Sequence, residues 1–337
     1  MASGRAALAR LIASELRAGG AEIVELRRLP GGAVREHWLV VAEVSGGACA
    51  GRHRLVLRSD GRTPLGIGLD LMQEFALLQT IHRAGIPAPE PLLCCGDAAI
   101  IGRPFHLTRW VAGEADPERV VAAGPSDALA EQLGRAAAAI HAISPACAEL
   151  SFLGAPPTDP AMALLAEYRG RLDAIGEKRP VAEWGLRWLA RNLPPPAAPV
   201  LCHGDFRTGN YLVEDGALAA ILDWEFAGWG DPDSDLGWFC SRCWRFSELE
   251  REAGGIASRA ALYRGYEAEA GRWPDPRRLR FWEVMAALKW LVIALLQRDR
   301  FLKQGERSLD LALTGRRAAE CEFELLRLTA GEHEKRP

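Results

Sequence analysis

The stretch LCHGDFRTGNYLV, residues 201–213, sets His203, Gly204, Asp205, Arg207 and Asn210 between two short apolar runs. The runs read as strands, so the polar residues occupy the loop that joins them. Asp205 lies just past the first run, where an exposed carboxylate can accept a proton. Asn210 closes the loop and offers an amide oxygen of the kind that binds hard cations. A hairpin follows, turning at Asp215-Gly216, a favoured turn pair. Its second strand, in LAAILDWEF, runs to Asp223, thirteen residues after Asn210, and the hairpin brings Asp223 back beside Asn210.

An amide oxygen and a carboxylate sharing Mg2+, with a second carboxylate left as base, is the arrangement that phosphoryl transfer uses. Asp and Asn also favour plain turns. Two such turns at this separation, behind a β-rich N-terminal part, argue for the chemistry. His203 is expected to brace the loop by hydrogen bonding. Glu225, in DWEF, is a candidate to reach the metal through water or to meet the substrate hydroxyl. Asp231 and Asp235, in GDPDSDL, read as loop-stabilising and N-capping residues.

Upstream of this loop the pattern is mostly β. ALARLIASEL is an amphipathic helix with Leu8, Leu11, Ile12 and Leu16 on one face. IVELRRLPGGAVREHWLVVAEVSGG holds two β-prone runs flanking Gly31-Gly32, and HRLVLRSDG is a third strand. LDLMQEFALLQTIHRAG is a helix closed by Gly85, and LLCCG and RPFHLTRWV add two strands. Residues 1–111 are thus expected to form a five-stranded antiparallel sheet with one inserted helix. From Ser126 the chain turns helical, over 127–143, 161–175 and 182–192, and again after Asp235. The expected fold class is α+β, with an N-terminal lobe, 1–111, and a larger helical lobe, 112–337. Ligands commonly sit in the cleft that such a pairing implies.

Several classes are disfavoured. The formal net charge of −3 gives no global basic field for nucleic acid or an anionic membrane. FWEVMAALKWLVIALLQ, 281–297, carries Glu283 and Lys289 and is short for a span, so it reads as a buried core helix. The N-terminus has no continuous apolar run of the secretory kind, and the expected location is the cytoplasm with reduced thiols. Cys240 and Cys243 form the CxxC among eight cysteines, but no second pair or histidine cluster completes a zinc site. The pair reads as structural.

The D-x4-N spacing and the later strand-terminal Asp resemble the catalytic loop and metal aspartate of protein kinases. HGD, followed by LDWEFAGWGDPDSDL, more specifically resembles the aminoglycoside phosphotransferase-like family of small-molecule kinases, and most of the chain fits. The resemblance implies a bilobal protein kinase-like fold and an ATP- and Mg2+-dependent enzyme acting on a hydroxyl of a small molecule. It implies Asp205 as catalytic base and Asn210 and Asp223 as metal ligands. Arg207 is a candidate to neutralise charge on the transferred phosphate.

The same resemblance assigns ATP to the N-terminal lobe. Gly31 and Gly32 would let backbone amides approach the phosphates. Trp110 and Val111, in TRWVAG, would supply backbone hydrogen bonds to adenine. The family places a lysine on the third strand, paired with a glutamate on the next helix. Here the first of four lysines is Lys178, and the matching residues are Arg58 and Glu74. Arginine keeps the charge and adds a fork suited to phosphate, but it is bulkier and holds phosphate differently.

The acceptor should meet the helical part. From Ser247 to Pro337 there are 17 Lys plus Arg against 15 Asp plus Glu, so this part lacks the acidity that polycationic antibiotics demand. Seven of eleven tryptophans fall between Trp224 and Trp290, with Arg242, Arg245 and Lys289 among them. An aromatic pocket with interior cations suits an acceptor with an apolar body and an anionic group. GGAVREHW, VLRSD, WFCSRCWRF and LKWLVIALLQ together resemble the subgroup related to the kinase-like domain of some acyl-CoA dehydrogenases, which implies a hydroxy acid or its CoA thioester. Two other readings stand beside this one. The first is an antibiotic O-phosphotransferase for aminoglycosides or macrolides, and the second an inactive nucleotide-binding protein, which the absent lysine favours. A monomer or a homodimer fits either.

Overall fold

Strand alternation and helix capping account for most of the elements in the computed structural model, which describes residues 2–29, 35–60 and 68–330. Gly31 and Gly32 lie outside the described residues. In chain order the elements are α1 (Ala2–Glu15), β1 (Gly20–Arg28), β2 (Arg35–Ser45), β3 (Gly51–Asp60), α2 (Leu71–Arg83), β4 (Pro91–Cys95), α3 (Ala98–Ile101) and β5 (Phe105–Arg109). Then come α4 (Pro117–Ala122), α5 (Asp127–His141), α6 (Pro160–Ile175), α7 (Pro180–Arg191), β6 (Val200–Cys202), β7 (Tyr211–Glu214), β8 (Ala217–Ile221) and β9 (Gly228–Gly230). The last are α8 (Pro232–Phe239), α9 (Arg259–Ala270), α10 (Pro276–Leu302), α11 (Leu309–Arg316) and α12 (Ala318–Ala330).

The chain divides into two units. The first is Met1–Glu114 with Ala148–Phe152 and Asn210–Ala227, and the second is Ala115–Cys147, Leu153–Gly209 and Gly228–Pro337. The first therefore takes in the Asn210–Asp223 hairpin as well as the N-terminal sheet, and the boundary falls between Gly209 and Asn210.

In the first unit the α+β expectation holds. Five strands form one sheet in the order β1-β2-β3-β5-β4, antiparallel throughout. Leu55 and Leu57 of β3 point into a core with Leu8 and Ile12 of α1 and Leu16 just after it, all buried. The period of two turns Arg54, Val56 and Arg58 to the opposite face. Helix α2 starts at Asp70, whose side chain accepts from Gln73 N while Gln73 reaches back, a capping box. Its buried stripe runs through Leu71, Leu77, Leu78 and Ile81 and includes Glu74, 1% exposed. The hairpin β7–β8 turns at Asp215 and Gly216, which both have positive φ, as the DG pair predicts.

The second unit is built from α4–α12 with the small β6–β9 pair. Its main core packs α10 against α6, α7 and α12 through residues such as Leu288, Leu291, Leu189 and Leu325. Helix α10 is buried along most of its length, as the 281–297 reading anticipates. Helices α5 and α9 touch almost backbone to backbone. A Cβ on Gly134 would lie 2.1 Å from Leu262 O, and one on Gly265 would lie 2.0 Å from Glu131 O. Only glycine permits that approach. Among the described residues no helix is long and apolar enough to cross a membrane.

Candidate active site

The Asp205 loop lies in the second unit, where β6 delivers the chain to His203. Helix α8 holds this loop. Asp231 caps the helix by accepting from Asp233 N at 2.9 Å. One turn on, the buried Asp235 accepts from His203 N at 2.7 Å and from Gly204 N at 3.0 Å. Its Oδ2 also meets His141 Nε2 at 3.2 Å, and His141 Nδ1 lies 3.0 Å from the Tyr266 hydroxyl. Burial pushes the Asp235 carboxyl up, but the His141 hydrogen bond and the His203 amide outweigh it and hold it below its ordinary value. Asp235 is thus more than a capping residue, because it fixes two peptide units of the loop. His203 braces the loop too: its Nδ1 accepts from Asp205 N at 3.2 Å.

The Asp205 carboxylate is engaged on both oxygens. Arg207 Nε donates to Oδ2 at 3.1 Å, and Trp238 Nε1 donates to Oδ1 at 2.7 Å. Arg207 lies flat on the Trp244 ring, 4.4 Å from its centroid, which fixes the fork by a cation–π contact. Lys289 Nζ sits 4.0 Å from the Trp238 centroid and donates to Gly204 O. Burial lowers the Lys289 pKa, while Asp205 and Asp235 pull it back up. Lys289, expected from the sequence as an interior cation for the acceptor, contacts the loop itself in the structure.

The Asn210–Asp223 hairpin lies in the first unit. Leu222 N donates to Asn210 O at 2.8 Å, so β7 and β8 bring Asn210 and Asp223 side by side. Asp223 takes a left-handed backbone, φ 65° and ψ 62°, and ends the strand abruptly. Two arginines face this edge. Arg58 reaches Asp223 Oδ1 with Nη2 at 2.5 Å, Glu225 Oε2 at 3.3 Å, and Glu74 Oε1 with Nη1 at 3.2 Å. Arg35 also pairs with Glu74, reaches Glu225 at 3.3 Å and donates to Leu69 O. The family's lysine–glutamate pair is therefore replaced by two guanidinium groups on one buried glutamate.

An amide oxygen and a carboxylate at the open end of one hairpin are donor types that hard divalent cations take, and the Arg58 guanidinium already brings positive charge to Asp223. Burial and the two arginines keep neighbouring histidines neutral: His37 falls to about 4, and His106 lies well below its ordinary value. Trp110 N donates to Arg54 O at 3.0 Å, and the Arg54 guanidinium lies 4.7 Å from the Trp110 centroid. Trp110 and Val111 are both half-buried.

The remaining candidates separate. The Arg245 side chain is spent on carbonyls, donating to Cys240 O at 2.9 Å and Leu249 O at 2.9 Å. Arg242 lines a cavity of about 610 Å3 in the second unit, with Phe246, Leu249, Trp290 and Phe323. Among the described residues its guanidinium makes no hydrogen bond or ion pair. Glu283 pairs with Arg259 at 2.5 Å and so is not a partner for Lys289. Among the described residues the one group spaced for a metal is the buried His141, Cys202 and Asp235, and the CxxC is not part of it. Burial raises the Cys240 thiol to about 12, in keeping with a structural cysteine.

Sequence reading missed Arg35 and Trp238. Trp238 carried a usable signal, since it stands three residues after Asp235 and so shares a helical face with it. Arg35 carried a weaker one, a charge entering an apolar strand.

Comparison with known proteins adds three findings. The model of the phosphotransferase enzyme family matches residues 25–292. Over 201 residues the chain is 28% identical to acyl-CoA dehydrogenase family member 10 of Mus musculus, covering 57% of this chain but 18% of that protein. The chain thus matches only a small part of that relative's length. A solved structure from Ralstonia eutropha, provisionally described as an aminoglycoside phosphotransferase, superposes with a TM-score of 0.74 at 19% identity, over 96% of this chain and 97% of that one. A spectinomycin phosphotransferase in complex with ADP and spectinomycin gives 0.65 at 13% identity, over 95% and 97%. At these identities the likeness to the solved structures is one of fold.

Proposed function

Because the chain belongs to the phosphotransferase enzyme family, we propose that it transfers the γ-phosphate of ATP to a hydroxyl of a small molecule. Asp205 orients the hydroxyl and takes its proton. Asn210 and Asp223 hold Mg2+, which when bound neutralises charge on the phosphates. Arg58 and Glu74 organise the phosphate end of the nucleotide, and Trp110 and Val111 offer backbone groups to adenine. Arg207 stands beside Asp205 with its charge toward the transferred group. The observation that carries this reading is the Asp205 carboxylate, held on both oxygens in a loop whose backbone Asp235 fixes. Such pre-set geometry is what a positioned base requires. Asp205→Ala is expected to lower kcat by ~10²–10⁴. Turnover near wild type in that variant would refute the assignment.

The finer reading is an acceptor with an apolar body and an anionic group, a hydroxy acid or its CoA thioester. The cavity supports it, with Arg242 beside Trp290, Phe246 and Phe323. The partial match to an acyl-CoA dehydrogenase family member adds support of a different kind. A screen of hydroxy acids, hydroxyacyl thioesters, amino alcohols and antibiotics with labelled ATP tests it. The antibiotic reading draws on the fold shared with a spectinomycin phosphotransferase. Phosphorylated drug in the same screen would favour it, and failure to bind Mg-ATP in calorimetry would count against both kinase readings.

A further inference from the structure

We propose that Trp238 is a positioning residue that aims the Asp205 carboxylate, and that Lys289 holds Trp238 for that task. The inference rests on the reading of Asp205 as base and adds a residue to it.

Helix α8 grips the loop at two levels. Asp235 binds the main chain at His203 and Gly204. Trp238, three residues later on the same face, binds the side chain of Asp205 at 2.7 Å. A carboxylate terminal torsion is broad and settles only where its oxygens are held. Here Trp238 takes Oδ1 and Arg207 takes Oδ2, so both oxygens are held.

Both donors are mounted on one aromatic cluster. Trp238 packs edge-on against Trp244 at 5.2 Å and Trp290 at 6.2 Å, and it is 3% exposed. Arg207 lies on Trp244. Lys289 stands over the Trp238 face and also donates to Gly204 O, so a single ammonium ties the indole to the peptide just before Asp205. A cation over the ring also draws electron density from the indole, which strengthens its N–H as a donor. The indole N–H is the one polar group of Trp238, and the carboxylate takes it.

The test uses the full chain with 15N-labelled tryptophan. The indole resonance lost in Trp238→Phe identifies Trp238. That resonance is expected to shift in Asp205→Ala and in Lys289→Met and to stay in place in Arg242→Ala. A resonance unmoved by Asp205→Ala overturns the proposal. With labelled ATP and the best acceptor of the screen, Trp238→Phe is expected to lower kcat about 10- to 100-fold, the scale of one hydrogen bond to a charged group. The KM for ATP is expected to stay within about twofold. In an Asp205→Ala background the same substitution is expected to change the residual turnover by less than about twofold. Equal losses in both backgrounds would mean a structural role and overturn the proposal. Should Trp238→Phe fail to fold, Lys289→Met carries the same kinetic comparison. An inactive Asp205→Ala beside a fully active Trp238→Phe sinks this inference alone. A fully active Asp205→Ala sinks the reading of Asp205 as base, and this inference with it.

Discussion

Arg58 grips Asp223, with Nη2 2.5 Å from Oδ1, and the same guanidinium reaches Glu225 and Glu74. A metal that takes Asp223 must compete with that charge. Removing Arg58 in Arg58→Met is expected to raise Mn2+ affinity about tenfold or more without nucleotide, the scale of a charge-assisted hydrogen bond. Affinity for ADP is expected to fall in the same variant. Titration calorimetry with metal alone and with ADP reads both, and unchanged metal affinity would contradict the competition.

Asp235 offers a second prediction. It is buried and serves His203 N, Gly204 N and His141 at once. Asp235→Ala leaves those donors without their acceptor. The expected loss is about 3–5 kcal/mol of folding stability, the range for breaking a buried charged network. Urea denaturation measures it, and a loss below about 1 kcal/mol would show the brace to be dispensable.

The pH dependence of stability follows from the neutral histidines on the sheet. His37 falls to about 4 and His106 lies well below its ordinary value, through burial first and then the charge of Arg58. Arg35 acts in the same direction on both, and Glu74 lies 3.9 Å from His106 Nε2. Both folded values lie below the unfolded value of about 6.5. Protons therefore bind the unfolded chain first, and stability falls as pH drops from about 6.5 towards about 4. Melting temperature followed across that window should decline, and His106→Gln should flatten the slope. A slope unchanged in that variant would assign the decline to other groups.

Arg242 offers a test of the proposed anionic acceptor. It lines the second unit's cavity. Arg242→Ala is expected to raise the KM for an anionic acceptor about 10-fold or more, with kcat and the KM for ATP little changed. The same variant is expected to leave a neutral acceptor unaffected. Equal effects on both acceptors would remove Arg242 from anion recognition.

Some of this was legible in the residues and some was not. The DG turn and the third strand, HRLVLRSDG, are local, and each is found where the pattern puts it. Arg58 and Glu74 were matched in sequence as one pair, and they lie 3.2 Å apart. The second arginine on Glu74 was not foreseen, because Arg35 meets it only through the pairing of β2 with β3 and the packing of α2. Arg242 and Arg245 look alike in WFCSRCWRF. Both line the cavity, and Arg245 is in addition tied to the carbonyls of Cys240 and Leu249.

By itself the sequence determined the strands and helices, the family and the spacing of Asp205, Asn210 and Asp223. These depend on short-range periodicity, turn chemistry and residue type, which the chain carries within a few dozen positions. Only the tertiary structure decided how each charge is spent: Arg58 on Asp223, Arg35 on Glu74, Lys289 on Trp238 and Gly204, and Trp238 on Asp205. A buried charge or N–H takes whichever partner the packing brings within about 3 Å, and residues distant in sequence supply that partner.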